Sequence, residues 1–223
     1  MAAPIGPRRL SSYRRDGFLL FPRLASPAEV AKLRAAFDEA FARREPGDVG
    51  IEREWDTKGT PIIEKLAQPE LDAPALAETR FYRDGRLLAA QALGVPPKRL
   101  VVTGVLVRKQ PRGAATGWHQ HAANPMPSFI LDEVTLWMTL EDVTARNGCL
   151  TVLPGSHQTP ALAHDRDNYI RPAEIERRRI VRCPLKAGGG LLIHTGVAHG
   201  SEPNRSARVR RAWTLYCYVK GRK

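Results

Sequence analysis

Two histidines separated by one residue, His119 and His121 in Thr116-Gly117-Trp118-His119-Gln120-His121, are the side chains in this sequence best spaced to do chemistry together. On a β-strand alternate side chains leave the same face, so the two imidazoles project to one side, as a shared metal ion requires. A third ligand has to come from elsewhere. The best candidate is His199, in Thr195-Gly196-Val197-Ala198-His199-Gly200-Ser201, which lies between two strand-like segments. Eleven residues later comes Arg210. Its planar guanidinium grips a carboxylate with two parallel hydrogen bonds, so an arginine beside a metal points to a carboxylate-bearing co-ligand. Imidazole ligands with such a co-ligand outline a non-haem iron centre of the oxygen-activating kind, since neutral imidazoles suit reduced iron.

Other residues compete for roles in that site. His194 lies five residues before His199 and is its main competitor as third ligand, although the spacing to Arg210 favours His199. Arg108 and Lys109 point to opposite faces of one strand, so one of them can face the interior and meet a carboxylate of a co-substrate or substrate, or else end the strand in solvent. His157, in Pro154-Gly155-Ser156-His157, reads as a turn residue, and His164 as a solvent histidine or a substrate contact. Trp118, Trp137 and Trp213 are candidate walls that limit water, and Trp55 a candidate cavity residue, although a tryptophan taken singly is more often plain packing.

The elements that would position these residues divide the chain. After a start expected to be mobile, Phe18-Leu19-Leu20-Phe21 reads as a short buried strand. Ser26, Pro27 and Glu29 mark a helix with a capping box, and Val30, Leu33, Phe37, Ala40 and Phe41 recur at helical spacing. Residues 44–70, broken by Pro46-Gly47-Asp48 and Lys58-Gly59-Thr60-Pro61, are assigned to loop and irregular elements. From Ala73 to Leu93 the pattern is helical with a break near Asp84-Gly85, and it stops at Gly94. From Leu100 to Lys109 the residues become β-branched, and strands between turns follow, including Arg179–Pro184 and Gly190–His194. Residues 158–178 form a long polar loop of the kind that serves as a lid. The expected organisation is a single α+β domain over 1–223, mainly helical through 99 and β from 100, with the helices packed outside the sheet.

Composition narrows the partners. Thirty-five Lys and Arg against 23 Asp and Glu give a formal charge of +12, which would draw anionic partners or simply solvate the surface. The basic residues are dispersed and no nucleic-acid motif accompanies them, so nucleic acid is not expected. A small-molecule substrate, anionic or carrier-linked, makes better use of the charge. Cys149, Cys183 and Cys217 are widely spaced and odd in number, which fits a reduced cytoplasmic compartment. No secretory signal and no membrane span are read in the sequence. Oligomeric state is not legible.

Three motifs in order carry a family resemblance: residues 116–121, Asn147-Gly148-Cys149-Leu150-Thr151-Val152-Leu153-Pro154-Gly155-Ser156-His157, and His199-Gly200-Ser201-Glu202-Pro203-Asn204-Arg205-Ser206 through Arg210. With Asp16-Gly17-Phe18 and Thr135–Val143, the chain resembles the phytanoyl-CoA dioxygenase family along nearly its whole length. The resemblance implies a double-stranded β-helix (jelly-roll, cupin-like) core and an oxygenase dependent on Fe(II), 2-oxoglutarate and O2. It implies that His119 and His199 bind iron and that Arg210, helped by Ser201, anchors the distal carboxylate of 2-oxoglutarate. One departure matters: the family's first motif reads His-x-Asp, and His121 stands at the aspartate position. Three outcomes then compete: a working three-histidine oxygenase, a metal-binding or regulatory protein with altered or lost chemistry, and a site from which His121 turns away. A three-histidine dioxygenase independent of 2-oxoglutarate is a further alternative, against which Arg210 argues. Halogenation is least expected, because it needs a small residue at the vacated position.

Overall fold

The computed structural model describes residues 4–43, 51–121, 130–159 and 161–220. In chain order its elements are α1 (Pro7–Asp16), β1 (Phe18–Phe21), α2 (Pro27–Ala42), β2 (Ile51–Trp55), β3 (Pro61–Ala67), α3 (Pro69–Asp72) and α4 (Arg80–Leu93). Then come β4 (Leu100–Lys109), β5 (Thr116–His119), β6 (Ile130–Thr139), β7 (Leu150–Val152), β8 (Val181–Cys183), β9 (Gly190–His194), β10 (His199–Ser201) and β11 (Arg210–Lys220). Seven strands form one antiparallel sheet in the order β1-β9-β6-β11-β4-β3-β2, and four form a second in the order β5-β10-β7-β8. The sheets face one another as a jelly roll, and the helices cover the outside of the larger one.

Both faces of the large sheet are buried along its middle strands β9, β6 and β11, which read as largely apolar runs. On the outer face Val134, Leu136 and Met138 of β6 join Phe37, Phe41, Phe81, Leu88 and Leu215 in the main core. On the inner face Trp137, Leu191, Ile193 and Ala212 meet Cys149, Val152, Cys183 and Val197. Each such side chain contributes roughly 1.5–3 kcal/mol by leaving water. The expected cap of α2 is present: Ser26 Oγ accepts from Glu29 N–H, and the Glu29 carboxylate accepts from Ser26 N–H.

Several expectations for the first hundred residues are corrected. Residues 7–16 form α1 rather than a mobile start, with Pro7 at its first turn and Tyr13 buried; only Leu10 and Tyr13 are large apolar residues there, too few to show a period. Residues 51–55 and 61–67, read as irregular, are β2 and β3. Their Arg53–Glu64 and Lys65–Glu54 ion pairs across the strands take the place of apolar alternation. Pro46-Gly47-Asp48 lies outside the described residues. The break expected at Asp84-Gly85 falls earlier, at Thr79, whose side chain accepts from Tyr82 N–H, and α4 runs unbroken through Gly85. Packing requires that glycine: a Cβ there would stand 2.8 and 2.9 Å from Leu215 and Leu136 of the sheet beneath.

Candidate active site

β5 and β10 pair so that His119 lies directly opposite His199. Their ring centroids are 4.3 Å apart, and His121 lies 4.8 Å from His199 and 5.4 Å from His119. One ligand atom from each of the three falls within 4.8 Å of the others, a spacing that fits a single metal ion. His121 does not share a strand with His119, contrary to the expectation from alternation. β5 ends at His119, and His121 sits in the turn beyond it. The alternation survives because Gln120 is pinned on the opposite side: its Nε2 donates to Gly196 O at 2.7 Å and its Oε1 accepts from Leu162 N at 2.9 Å.

Two rings are already set in the tautomer that a metal needs. Nδ1 of His119 faces Gly117 O and Nδ1 of His199 faces Val197 O, each at 2.9 Å. A carbonyl only accepts, so both Nδ1 atoms carry the proton and both Nε2 lone pairs are free. Burial pushes the His119 imidazole down to about 4, with His121 adding to the effect. Burial likewise holds His199 well below the ordinary histidine range, with His119 and His121 contributing. Neutral rings are the form that coordinates a metal.

Arg210 begins β11 on the opposite sheet, across from Lys109 of β4, and lines the same cavity as the three histidines. It is 2% exposed, and its Nε and Nη1 have no hydrogen-bond partner among the described residues. Burial pushes its guanidinium down to about 10, with Glu141 acting the other way. Its guanidinium carbon lies 5.5 Å from the Trp137 ring centre. A buried, unpartnered fork of donors fits an anionic carboxylate.

Lys109 faces inward and Arg108 outward, where it pairs with Glu64. Lys109 does not reach the cavity wall, however. Its Nζ donates to Ala114 O and Ser201 Oγ at 2.8 Å and to Glu202 O at 3.0 Å. It therefore stands behind Ser201, which does line the cavity and whose hydroxyl also bonds Thr116 Oγ1 at 3.0 Å. Burial, with Arg210 nearby, pushes the Lys109 ammonium down to about 6. Gly148, in the Asn147-Gly148 turn, has φ +90°, and a Cβ there would lie 3.1 Å from the Lys109 side chain.

The other candidates separate. His194 is turned away, accepting from Gly196 N–H and lying 4.9 Å from the His157 ring, while His157 Nε2 donates to Arg14 O and ties α1 to the sheet. Trp137 lines the cavity, but Trp213 sits on the far face of β11 against Phe81 and Tyr82, and Trp118 packs with Leu153, Leu162 and Ile170. Trp55 stands at the cavity, 56% exposed. Of the polar loop, Asp165, Asp167, Asn168 and Tyr169 line the cavity and His164 does not. Sequence reasoning missed Glu133 and Thr135, which face His121 Nδ1 at 3.4 and 3.2 Å. Alternation along Glu133-Val134-Thr135-Leu136-Trp137 was the signal that put them inside.

The cavity holds about 1220 Å³. Its lining carries five carboxylates, Glu54, Asp56, Glu133, Asp165 and Asp167, against the cations Lys65 and Arg210. Lys65 is itself paired with Glu54. The chain's positive charge therefore does not extend into the cavity.

A jelly roll with a three-imidazole cluster facing a buried arginine defines a metal-dependent oxygenase that takes a carboxylate co-substrate. The chain matches the phytanoyl-CoA dioxygenase (PhyH) family over residues 13–212 and belongs to that family. It is 31% identical over 221 residues to the ectoine dioxygenase of Nocardia farcinica, covering 88% of this chain and 72% of that protein. It is 24% identical over 268 residues to phytanoyl-CoA dioxygenase domain-containing protein 1 of Bos taurus, covering 96% and 90%. Among solved structures, EvdO2 from Micromonospora carbonacea var. aurantiaca, complexed with 2-oxoglutarate, is similar with a TM-score of 0.80 and 31% identity, covering 98% of this chain and 93% of that one. The protein is accordingly an Fe(II)- and 2-oxoglutarate-dependent dioxygenase. No helix of the described residues is long and apolar enough to cross a membrane.

Proposed function

We propose that the chain works as one oxygenase domain that hydroxylates or otherwise oxidises a small molecule, with His119, His121 and His199 as metal ligands and Arg210 as the 2-oxoglutarate anchor. The observation that carries this reading is the pairing, in one cavity, of three converging imidazoles with a buried guanidinium whose Nε and Nη1 lack partners among the described residues. Iron and 2-oxoglutarate bound there supply the oxidising chemistry, consuming O2 and releasing succinate and carbon dioxide.

The chain's own residues set the geometry. The carbonyls of Gly117 and Val197 hold two imidazoles with Nε2 forward. Arg210 binds the distal carboxylate, and Ser201 helps from beside it, oriented by Lys109 and Thr116. Trp137 walls the guanidinium from solvent, which strengthens its grip on the carboxylate. The placement of a buried Arg210 in the same cavity favours this reading over a three-histidine dioxygenase that works without the keto acid. The three buried free cysteines support a reducing, cytoplasmic setting.

For the substrate, the carboxylates of the cavity lining favour a neutral or cationic group over the anionic one that the +12 charge alone suggests. Succinate formation by protein loaded with ferrous iron under anaerobic conditions and then exposed to O2 tests the activity, with His121→Asp run beside it. Turnover by the natural protein is expected. Turnover by the Asp variant alone would make it a degenerate enzyme, and no turnover or metal retention in either would leave a binding protein. A mass survey of candidate metabolites under oxygen-18 gas tests the substrate class, and labelled products confined to anions would contradict it.

A further inference from the structure

We infer that Glu133 is a positioning residue for His121, returning to the metal site, one shell out, the negative charge that a histidine at position 121 removes. The inference rests on the three-histidine reading proposed above. Three neutral imidazoles give a divalent ion no anionic protein ligand, where two histidines and an aspartate would give one. The three rings are not held alike. His119 and His199 each donate Nδ1–H to a neutral backbone carbonyl two residues upstream, on their own chain segments. His121 alone faces a carboxylate: Glu133 Oε1 lies 3.4 Å from its Nδ1, with Thr135 Oγ1 at 3.2 Å.

Glu133 and Thr135 alternate on β6, so both project from the large sheet across the cavity toward the ring that follows β5. The two partners are well shielded, with side chains 11% and 15% exposed for Glu133 and His121. In that setting Thr135 Oγ1 is the hydrogen-bond partner of Nδ1, and the carboxylate within ion-pair reach beside it favours the proton on Nδ1, points Nε2 at the metal and makes the ring a stronger donor, as the carboxylates of carboxylate–histidine–metal triads do. Thr135 can hold the same proton but contributes no charge. The work of an aspartate ligand is thereby divided between a coordinating ring and a carboxylate that does not touch the metal.

Cobalt(II) titration of the apoprotein, followed by its visible absorption and by competition with a chelating dye, separates these roles. Glu133→Gln keeps the shape and loses the charge, so it is expected to bind cobalt at least tenfold more weakly and to shift the absorption bands, with its thermal melting as apoprotein little changed. Thr135→Val is expected to cost less than threefold. In a His121→Asp background, where the ligand itself is anionic, adding Glu133→Gln should leave affinity unchanged or raise it. Affinity and spectrum within twofold of the natural protein for Glu133→Gln would overturn the inference. A larger loss for Thr135→Val, or an equal loss in the His121→Asp background, would do the same. If the natural protein binds no cobalt, the three-histidine reading itself falls. If it binds cobalt and Glu133→Gln binds equally well, only the role of Glu133 falls.

Discussion

The two ends of the cavity carry unmet capacity of opposite kinds. At the histidine end, His119 and His199 have already spent their Nδ1 protons on carbonyls, leaving lone pairs that call for a cation. At the arginine end, Nε and Nη1 of Arg210 are buried donors without partners among the described residues, which call for an anion. A keto acid that chelates a metal while reaching an arginine satisfies both. The ends also differ in their cost to the apoprotein. Neutral imidazoles sit in a buried site cheaply, whereas an uncompensated buried guanidinium costs several kcal/mol. The arginine end is therefore held in place by the fold at the expense of stability.

Substitutions sharpen that contrast. The largest effect is expected from His199→Ala, which removes the most deeply buried of the three rings: metal binding is lost, and turnover measured as succinate falls by about 1000-fold or more. Arg210→Met comes next. Losing the partner of a carboxylate in a closed site costs about 3 kcal/mol, so 2-oxoglutarate affinity, measured by calorimetry on the metal-loaded protein, falls about 100-fold. The same variant melts higher as apoprotein, by a few degrees, because its buried charge is gone. Equal melting temperatures would show that Arg210 is compensated after all.

Lys109→Met acts one step further back. With its bonds to Ser201 Oγ, Ala114 O and Glu202 O all removed, the KM for 2-oxoglutarate rises about tenfold, with a smaller change in kcat. Its effect on stability depends on pH. With its pKa lowered from 10.5 to about 6, the folded chain holds fewer protons at Lys109 than the unfolded chain between those values. Stability therefore rises with pH through that window and is lost as pH falls toward 6. Urea unfolding from pH 6 to 10 should show a flatter profile for Lys109→Met. An unchanged slope would mean that the three oxygen acceptors on Nζ keep it an ordinary ammonium. Ser201→Ala is the mildest change, raising the KM about threefold through the loss of one neutral hydrogen bond.

Legibility in the sequence followed range. His119, His199 and Arg210 could be read because their spacings and residue types sit inside local motifs. The β half was legible because branched residues alternate, and Leu100–Lys109 is a strand over its whole expected length. β2 and β3 were hidden because ion-paired residues interrupt the apolar pattern, leaving Ile62, Ile63 and Leu66 of β3 buried but out of strict alternation. The side of the sheet on which each tryptophan falls depended on register: Trp137 and Thr214 are opposite one another on the inner face, which places Trp213 outside. Glu133 escaped notice because its partner lies in the turn beyond β5, and no local pattern joins positions 121 and 133. The inversion of charge between the molecule and its cavity was likewise invisible in a sum over residues.

The most direct test is calorimetric titration of the apoprotein with ferrous iron and then 2-oxoglutarate, without oxygen. One iron per chain is expected, followed by one 2-oxoglutarate whose binding weakens without iron and falls about 100-fold in Arg210→Met. Iron binding that survives His199→Ala, or 2-oxoglutarate bound equally well by Arg210→Met, would contradict a site built from three imidazoles and one guanidinium.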